Sequence, residues 1–136
     1  MATLSTEYFE NKSGFSSALA ALYGDDASVR ADRFAKLGNL HKEVFGKDYT
    51  DFFSSPGRIE IVGNHTDHNA GKVLAAAITV DTLGAVSKRD DGRIEVKSES
   101  YPMLRVDLAD AAFKSSELGT STALIKGVVD YFVRAG

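Results

Sequence analysis

The sequence contains no cysteine, which excludes both a disulfide framework and a thiolate zinc site and gives no reason to expect an oxidising compartment. It also has no long apolar run. The longest, Val73 to Ile78, falls far short of the roughly 20 residues that span a bilayer. The opening MATLSTEYFENKSG lacks the basic flank and apolar stretch of a secretory signal. These absences predict a soluble, cytoplasmic protein with no membrane partner. They leave the glycosylation patterns Asn11-Lys12-Ser13 and Asn64-His65-Thr66 without a secretory route. Basic charge is in short supply too: 16 Lys and Arg against 19 Asp and Glu give a net charge of −3. No basic field gathers phosphate backbones or anionic lipid, so nucleic acid is not an expected partner. Internal repeats and low-complexity linkers are absent as well.

What is present is 136 residues, 43% of them hydrophobic, enough for one compact domain over residues 1–136. Phe15, Ala18, Leu19 and Leu22 recur at helical spacing and Gly24 follows as a stop. A second helix is predicted from about Ala27, with Asp26 as N-cap and Phe34, Leu37, His41, Val44 and Phe45 on one side before Gly46. From Phe52 the pattern changes, and Arg58 to Gly63 reads as a short strand running into a polar, glycine-bounded loop, Asn64 to Gly71. Val73 to Lys88 suits a long, mostly buried strand, and Asp90-Asp91-Gly92 signals a hairpin turn into Arg93 to Ser98. Met103 to Leu108 adds a strand, and Leu124, Val128, Val129, Phe132 and Val133 form the apolar stripe of a last helix starting near Thr120. Helices and strands sharing one core predict an α+β or α/β domain.

The polar loop is the densest cluster of chemically capable side chains. On residue types alone, His65, Asp67 and His68 suit a divalent metal, and a metal-dependent hydrolase is one reading of them. His68 reads equally well as a surface residue. Arg58 and Glu60, two apart on a strand, share a face; an ordinary exposed pair worth under about 1 kcal/mol is the plain reading, favoured for Glu60 but not for Arg58. Gly71-Lys72 has no glycine five places before it and Val73 where Ser or Thr belongs, so the Walker pattern fails. His41, on an apolar helix face, reads as a packed core histidine.

The unbroken stretch 55–74, and Pro56, Gly57, Arg58, Gly63, His65, Thr66, Asp67, Asn69 and Gly71 within it, resembles the galactokinase signature Pro-Gly-Arg-x-Asn-(apolar)-(apolar)-Gly-Glu-His-x-Asp-Tyr. Galactokinases belong to the GHMP small-molecule kinases. The resemblance covers about residues 50 to 135 and implies the N-terminal part of a GHMP-kinase-like domain, also described as ribosomal protein S5 domain 2-like. Its helices would pack on a mixed or antiparallel sheet.

The resemblance implies that Asn64, His65 and Asp67 contact a sugar, with His68 beside them, and that Arg58 lies near the catalytic aspartate and the reacting hydroxyl. The chemistry agrees with a sugar. A carboxylate such as Asp67 accepts hydrogen bonds from two neighbouring hydroxyls, and charge-assisted bonds are roughly twice as strong as neutral ones. Glu60, Asn64 and His68 depart from the usual Asn, acidic residue and Tyr. Asn64 offers an amide donor in place of a carboxylate, so the hydroxyl preference is expected to depart from that for galactose.

The resemblance further implies an ATP-dependent sugar 1-kinase that uses magnesium and galactose or a related hexose. The family's phosphate loop, Pro-x-x-x-Gly-Leu-(small)-Ser-Ser-(small), has no counterpart here. The expectation is therefore the sugar-recognising part of a kinase, inactive alone and prone to homodimerise. A non-catalytic galactokinase-like sugar sensor is the alternative.

Overall fold

A computed structural model describes residues 3–5, 12–48, 51–63 and 66–135. Their contacts divide into two compact units, Met1–Ser87 and Lys88–Gly136. The class is α+β, and the strand pairing is antiparallel throughout the described residues. No helix among them is long and apolar enough to cross a membrane.

The first unit holds β1 (Thr3–Ser5), α1 (Lys12–Tyr23), α2 (Ala27–Phe45), β2 (Asp51–Val62) and β3 (Leu74–Val86), with strand order β1-β2-β3. Gly24 ends α1 as expected, and a single 3₁₀ turn, Gly24–Asp26, runs straight into α2. That continuity explains why Asp26 does not cap. Its backbone is already helical (φ −80°, ψ −1°) and its side chain makes no cap hydrogen bond, whereas a capping residue needs an extended backbone. At the other end Gly46 turns left-handed, and its N–H meets the Lys42 carbonyl at 2.9 Å.

The helical stripes pack on the sheet through aromatic rings. Phe34 is fully buried, with ring centroids 5.8 Å from Phe15, 6.4 Å from Tyr23 and 5.5 Å from Phe52. Leu19 completes the core, and Leu83 and Ala85 reach it from β3. The alternation of a pleated strand puts Phe52 and Ser54 of β2 on the same face as Leu83 and Ala85 of β3. His41 is buried, as expected of a core histidine, with Nδ1 3.2 Å from the Lys47 carbonyl and its ring against Phe45.

Two expectations for the sheet need correction. β2 begins at Asp51 rather than Arg58, and Pro56 lies inside it, because the register breaks there and spares the ladder a missing donor. β3 is not mostly buried. Only its half toward Val86 lies under the helices, and toward the loop Leu74, Val80, Ile59, Ile61 and Val62 are all more than half exposed.

The second unit holds β4 (Arg93–Val96), β5 (Leu104–Asp107) and α3 (Ser121–Ala135). Asp90-Asp91-Gly92 does lead into a strand, but β4 pairs with β5 and β3 with β2, so the turn does not make the expected β3–β4 hairpin. Gly92 is left-handed, and its carbonyl accepts the Leu108 N–H, closing the β4–β5 ladder. Thr120 starts α3: its hydroxyl oxygen accepts from the Ala123 N–H and donates to the Glu117 carbonyl. On α3 it is Lys126 that is buried, paired with Glu117 at 2.9 Å and Asp110 at 3.4 Å. The apolar stripe faces outward, with Leu124, Phe132 and Val133 each two-thirds exposed or more.

Candidate functional site

The predicted site residues lie on the β2–β3 hairpin and its connection. Arg58 is in β2, exposed, with Ala77 of β3 as its register partner. Asn64 and His65 lie outside the described residues, as does the side chain of Asp67, whose backbone forms a 3₁₀ turn, Asp67–Asn69. His68 is exposed on that turn, with Nε2 3.1 Å from the Asn69 side-chain nitrogen.

The connection is shaped by its backbone. The Thr66 carbonyl accepts two N–H groups, from Asn69 at 3.0 Å and Gly71 at 2.9 Å. A Cβ at Gly71 would come within 2.8 Å of that same carbonyl oxygen. At the base, Gly63 has φ +116°, and a Cβ there would meet the Lys72 carbonyl at 2.7 Å. These contacts bring the two ends of the connection together, so that Asp67 and His68 are carried at its tip.

Between this tip and the core the hairpin is irregular twice. Pro56 pairs with Asp81, but Gly57 pairs with Ile78, so Thr79 and Val80 have no partner in β2. Farther out Glu60 pairs with Ala75 and Val62 with Leu74, leaving Ile61 unpaired. At the first break the Val80 carbonyl turns over Gly57, 2.7 Å from where a Cβ would stand. Glycine at 57 is therefore a steric requirement of the bulge.

A polar cluster meets the hairpin at the same break. Asp81 has only 2% of its side chain exposed. Tyr23 and Ser54 each donate a hydroxyl hydrogen to Asp81 Oδ2 at 2.6 Å, and one Arg33 nitrogen donates to Oδ1 at 2.6 Å. Each hydroxyl has one hydrogen and spends it on the carboxylate, so the 3.1 Å approach of Tyr23 to Ser54 adds little. Burial by itself would raise the Asp81 carboxyl. The three donors and the Arg33 charge outweigh it and hold the pKa at about 2. Burial and the Asp81 carboxylate raise the Tyr23 hydroxyl. The cluster borders a groove of about 620 Å³ lined by Leu22, Pro56, Ala77, Ile78 and Thr79 as well.

Sequence reasoning missed this cluster. One signal was available: Asp81 shares its strand face with Leu83 and Ala85 and so points a charge toward the core. Nothing in the sequence connects it with Tyr23 or Arg33, 58 and 48 residues away.

The galactokinase galactose-binding signature matches residues 39–88, which take in the whole hairpin and its connection. The chain is related to the galactokinases. It is 36% identical over 103 residues to the galactokinase of Enterococcus faecalis and 40% identical over 104 residues to that of Streptococcus suis, in each case 74% of this chain. With the galactokinase of Lactococcus lactis subsp. cremoris the identity is 40% over 112 residues, 80% of this chain. The chain spans about a quarter of the length of these galactokinases, 26% of each. No solved structure matches it.

Proposed function

We propose that this chain is the sugar-recognising N-terminal portion of a galactokinase-like enzyme that transfers the γ-phosphoryl group of ATP to the anomeric hydroxyl of galactose or a related hexose. The observation that carries this reading is the galactose-binding signature laid along one hairpin, with its polar residues gathered at the connection. In this reading Asn64, His65, Asp67 and His68 bind the hydroxyls. Asp67 accepts from two neighbouring hydroxyls and so reads their stereochemistry. Asn64 shifts the preference, because an amide offers a donor where a carboxylate only accepts. Arg58 acts at the reacting centre, where a guanidinium keeps a neighbouring carboxylate ionised and offsets developing charge on the phosphoryl group. The fold assignment that accompanies this reading is the N-terminal part of a GHMP-kinase-like, ribosomal protein S5 domain 2-like domain.

ATP and magnesium belong, in this reading, to other residues of the parent enzyme. The starts of α2 and α3 do not suit the phosphates of ATP. The turn leading into α2 carries Asp25 and Asp26, which repel phosphate, and the start of α3 is occupied by its own Thr120 cap. The chain alone is therefore expected to bind sugar without turning it over.

Calorimetric titration of the chain with galactose, glucose and ATP–magnesium, beside an Asp67→Ala control, tests the proposal. Galactose or hexose binding that Asp67→Ala abolishes, with no response to ATP–magnesium, supports it. A folded chain silent toward every hexose overturns it as a property of this chain. Binding by a parent protein devoid of kinase activity would identify the sugar sensor instead.

A further inference from the structure

We propose that Asp81, held by Tyr23, Arg33 and Ser54, is a positioning residue that aims the signature half of the hairpin, and with it Arg58 and the sugar-binding connection. The inference rests on the sugar-binding reading above for its function, and on the bulge for its geometry.

The hairpin has two halves that are supported differently. From Asp51 to Pro56 and from Asp81 to Val86 the ladder runs without a shift, and Phe52, Leu83 and Ala85 are clamped against the helices. From Gly57 to Val62 and from Leu74 to Ile78 both faces are largely exposed, so packing among the described residues does not fix its direction. Among the described residues, its direction is set where the two halves join.

That joint is weak in backbone terms. Pro56 has no N–H to give the ladder, Thr79 and Val80 are unpaired, and the register jumps by two residues. Asp81 is the β3 residue at the joint on the core side, opposite Pro56. Its carboxylate is tied to α1 through Tyr23, to α2 through Arg33 and to β2 through Ser54. The second Arg33 nitrogen donates to the Asp81 main-chain carbonyl at 3.2 Å, which holds the backbone at the bulge as well as the side chain. Bulges commonly sit beside functional sites because they re-aim the strand that follows.

The leverage is large. Seven residues separate Pro56 from Gly63, about 20 Å of strand, so a rotation of about 10° at the bulge moves the connection by about 3 Å. Sites of this kind tolerate about 0.5 Å and 10–20°. Asn at position 81 keeps the shape but lacks the charge that holds Arg33 and accepts two hydroxyl donors on one oxygen.

The test compares Asp81→Asn with Leu19→Ala, a core variant away from the bulge, each in the 136-residue chain and at a temperature where both are fully folded. Two readouts are taken: galactose affinity, and hydrogen exchange of the β2 amides. The expected result for Asp81→Asn is at least a tenfold loss of affinity, with exchange at Arg58 to Val62 quickened more than at Phe52 to Ser54, where only the loss of global stability acts. Leu19→Ala should leave the affinity within threefold, and Tyr23→Phe should fall between wild type and Asp81→Asn. Equal effects of Asp81→Asn and Leu19→Ala on affinity and on both halves of β2 would overturn the proposal and leave Asp81 a stability residue only. If the wild-type chain binds no hexose, the sugar reading has failed separately. The exchange pattern then decides the positioning claim alone: selective loosening beyond Gly57 upholds it and uniform loosening ends it.

Discussion

Arg33 holds Asp81 at two points, through the carboxylate oxygen Oδ1 at 2.6 Å and through the main-chain carbonyl oxygen at 3.2 Å. A helix is thereby tied to both the side chain and the backbone of a strand residue, with Tyr23 and Ser54 on the remaining carboxylate oxygen.

The first prediction concerns acid. The Asp81 carboxyl lies at about 2 in the folded chain against an ordinary value of 3.8. A depressed carboxylate pKa contributes stability that is fully present above the unfolded value and is lost as pH falls through the folded one. Here that contribution is about 2 kcal/mol, fading between about pH 4 and pH 2. Thermal melts of the wild type across this window should fall more steeply than those of Asp81→Asn. Parallel curves would remove Asp81 from the account of acid sensitivity.

Glycine substitutions separate the bulge from the regular ladder. Gly57→Ala forces a Cβ onto the Val80 carbonyl and the Ile78 side chain, and overpacking of this kind costs about 1–3 kcal/mol. Gly84→Ala, in the regular part of β3, meets nothing within 4 Å and should change stability by less than about 0.5 kcal/mol. Urea denaturation of the two variants gives the comparison directly.

Phe34→Ala removes the ring on which Phe15, Tyr23 and Phe52 converge. A loss of about 3–5 kcal/mol is expected, enough to unfold much of the first unit. Near-ultraviolet circular dichroism should lose its aromatic signal at room temperature. A native-like spectrum would mean that the core repacks around the gap.

On α3, Leu124, Val128, Tyr131 and Phe132 are all more than half exposed. Apolar surface of this extent drives association, so sedimentation velocity should show average mass rising with concentration. Leu124→Glu with Phe132→Glu should restore a monomer. A wild-type monomer across a hundredfold concentration range would refute the expectation.

Local signals in the sequence accounted for the helices and the loop. Phe15, Leu19, Phe34 and His41 recur at helical spacing, and Gly24 and Gly46 end the two helices where the chain turns left-handed. The polar residues around Asp67 stood out because several hydroxyl-binding types crowd a glycine-bounded segment. Pairing was harder to read. Asp90-Asp91-Gly92 is a good turn sequence, but turn chemistry does not say which strand will answer it, and β5 does. The apolar content of β3 read as burial, yet hydrophobic residues inside is a one-way rule; Leu74 and Val80 are left open because no described helix covers that half. The Asp81 cluster was out of reach for a different reason. Its members meet only after two helices and two strands have assembled, and no short pattern records that meeting.

The Thr66 carbonyl, accepting from both Asn69 and Gly71, makes the turn from Thr66 to Gly71 a self-wired piece whose length is fixed from within. Evolution can exchange the side chains at Asp67, His68 and Asn69 without renegotiating the backbone that presents them, but it cannot add or remove a residue there without breaking both bonds. Side chains at this tip are therefore open to substitution while a change of length would break both bonds, and the departure from the usual signature at His68 is a change of the permitted kind.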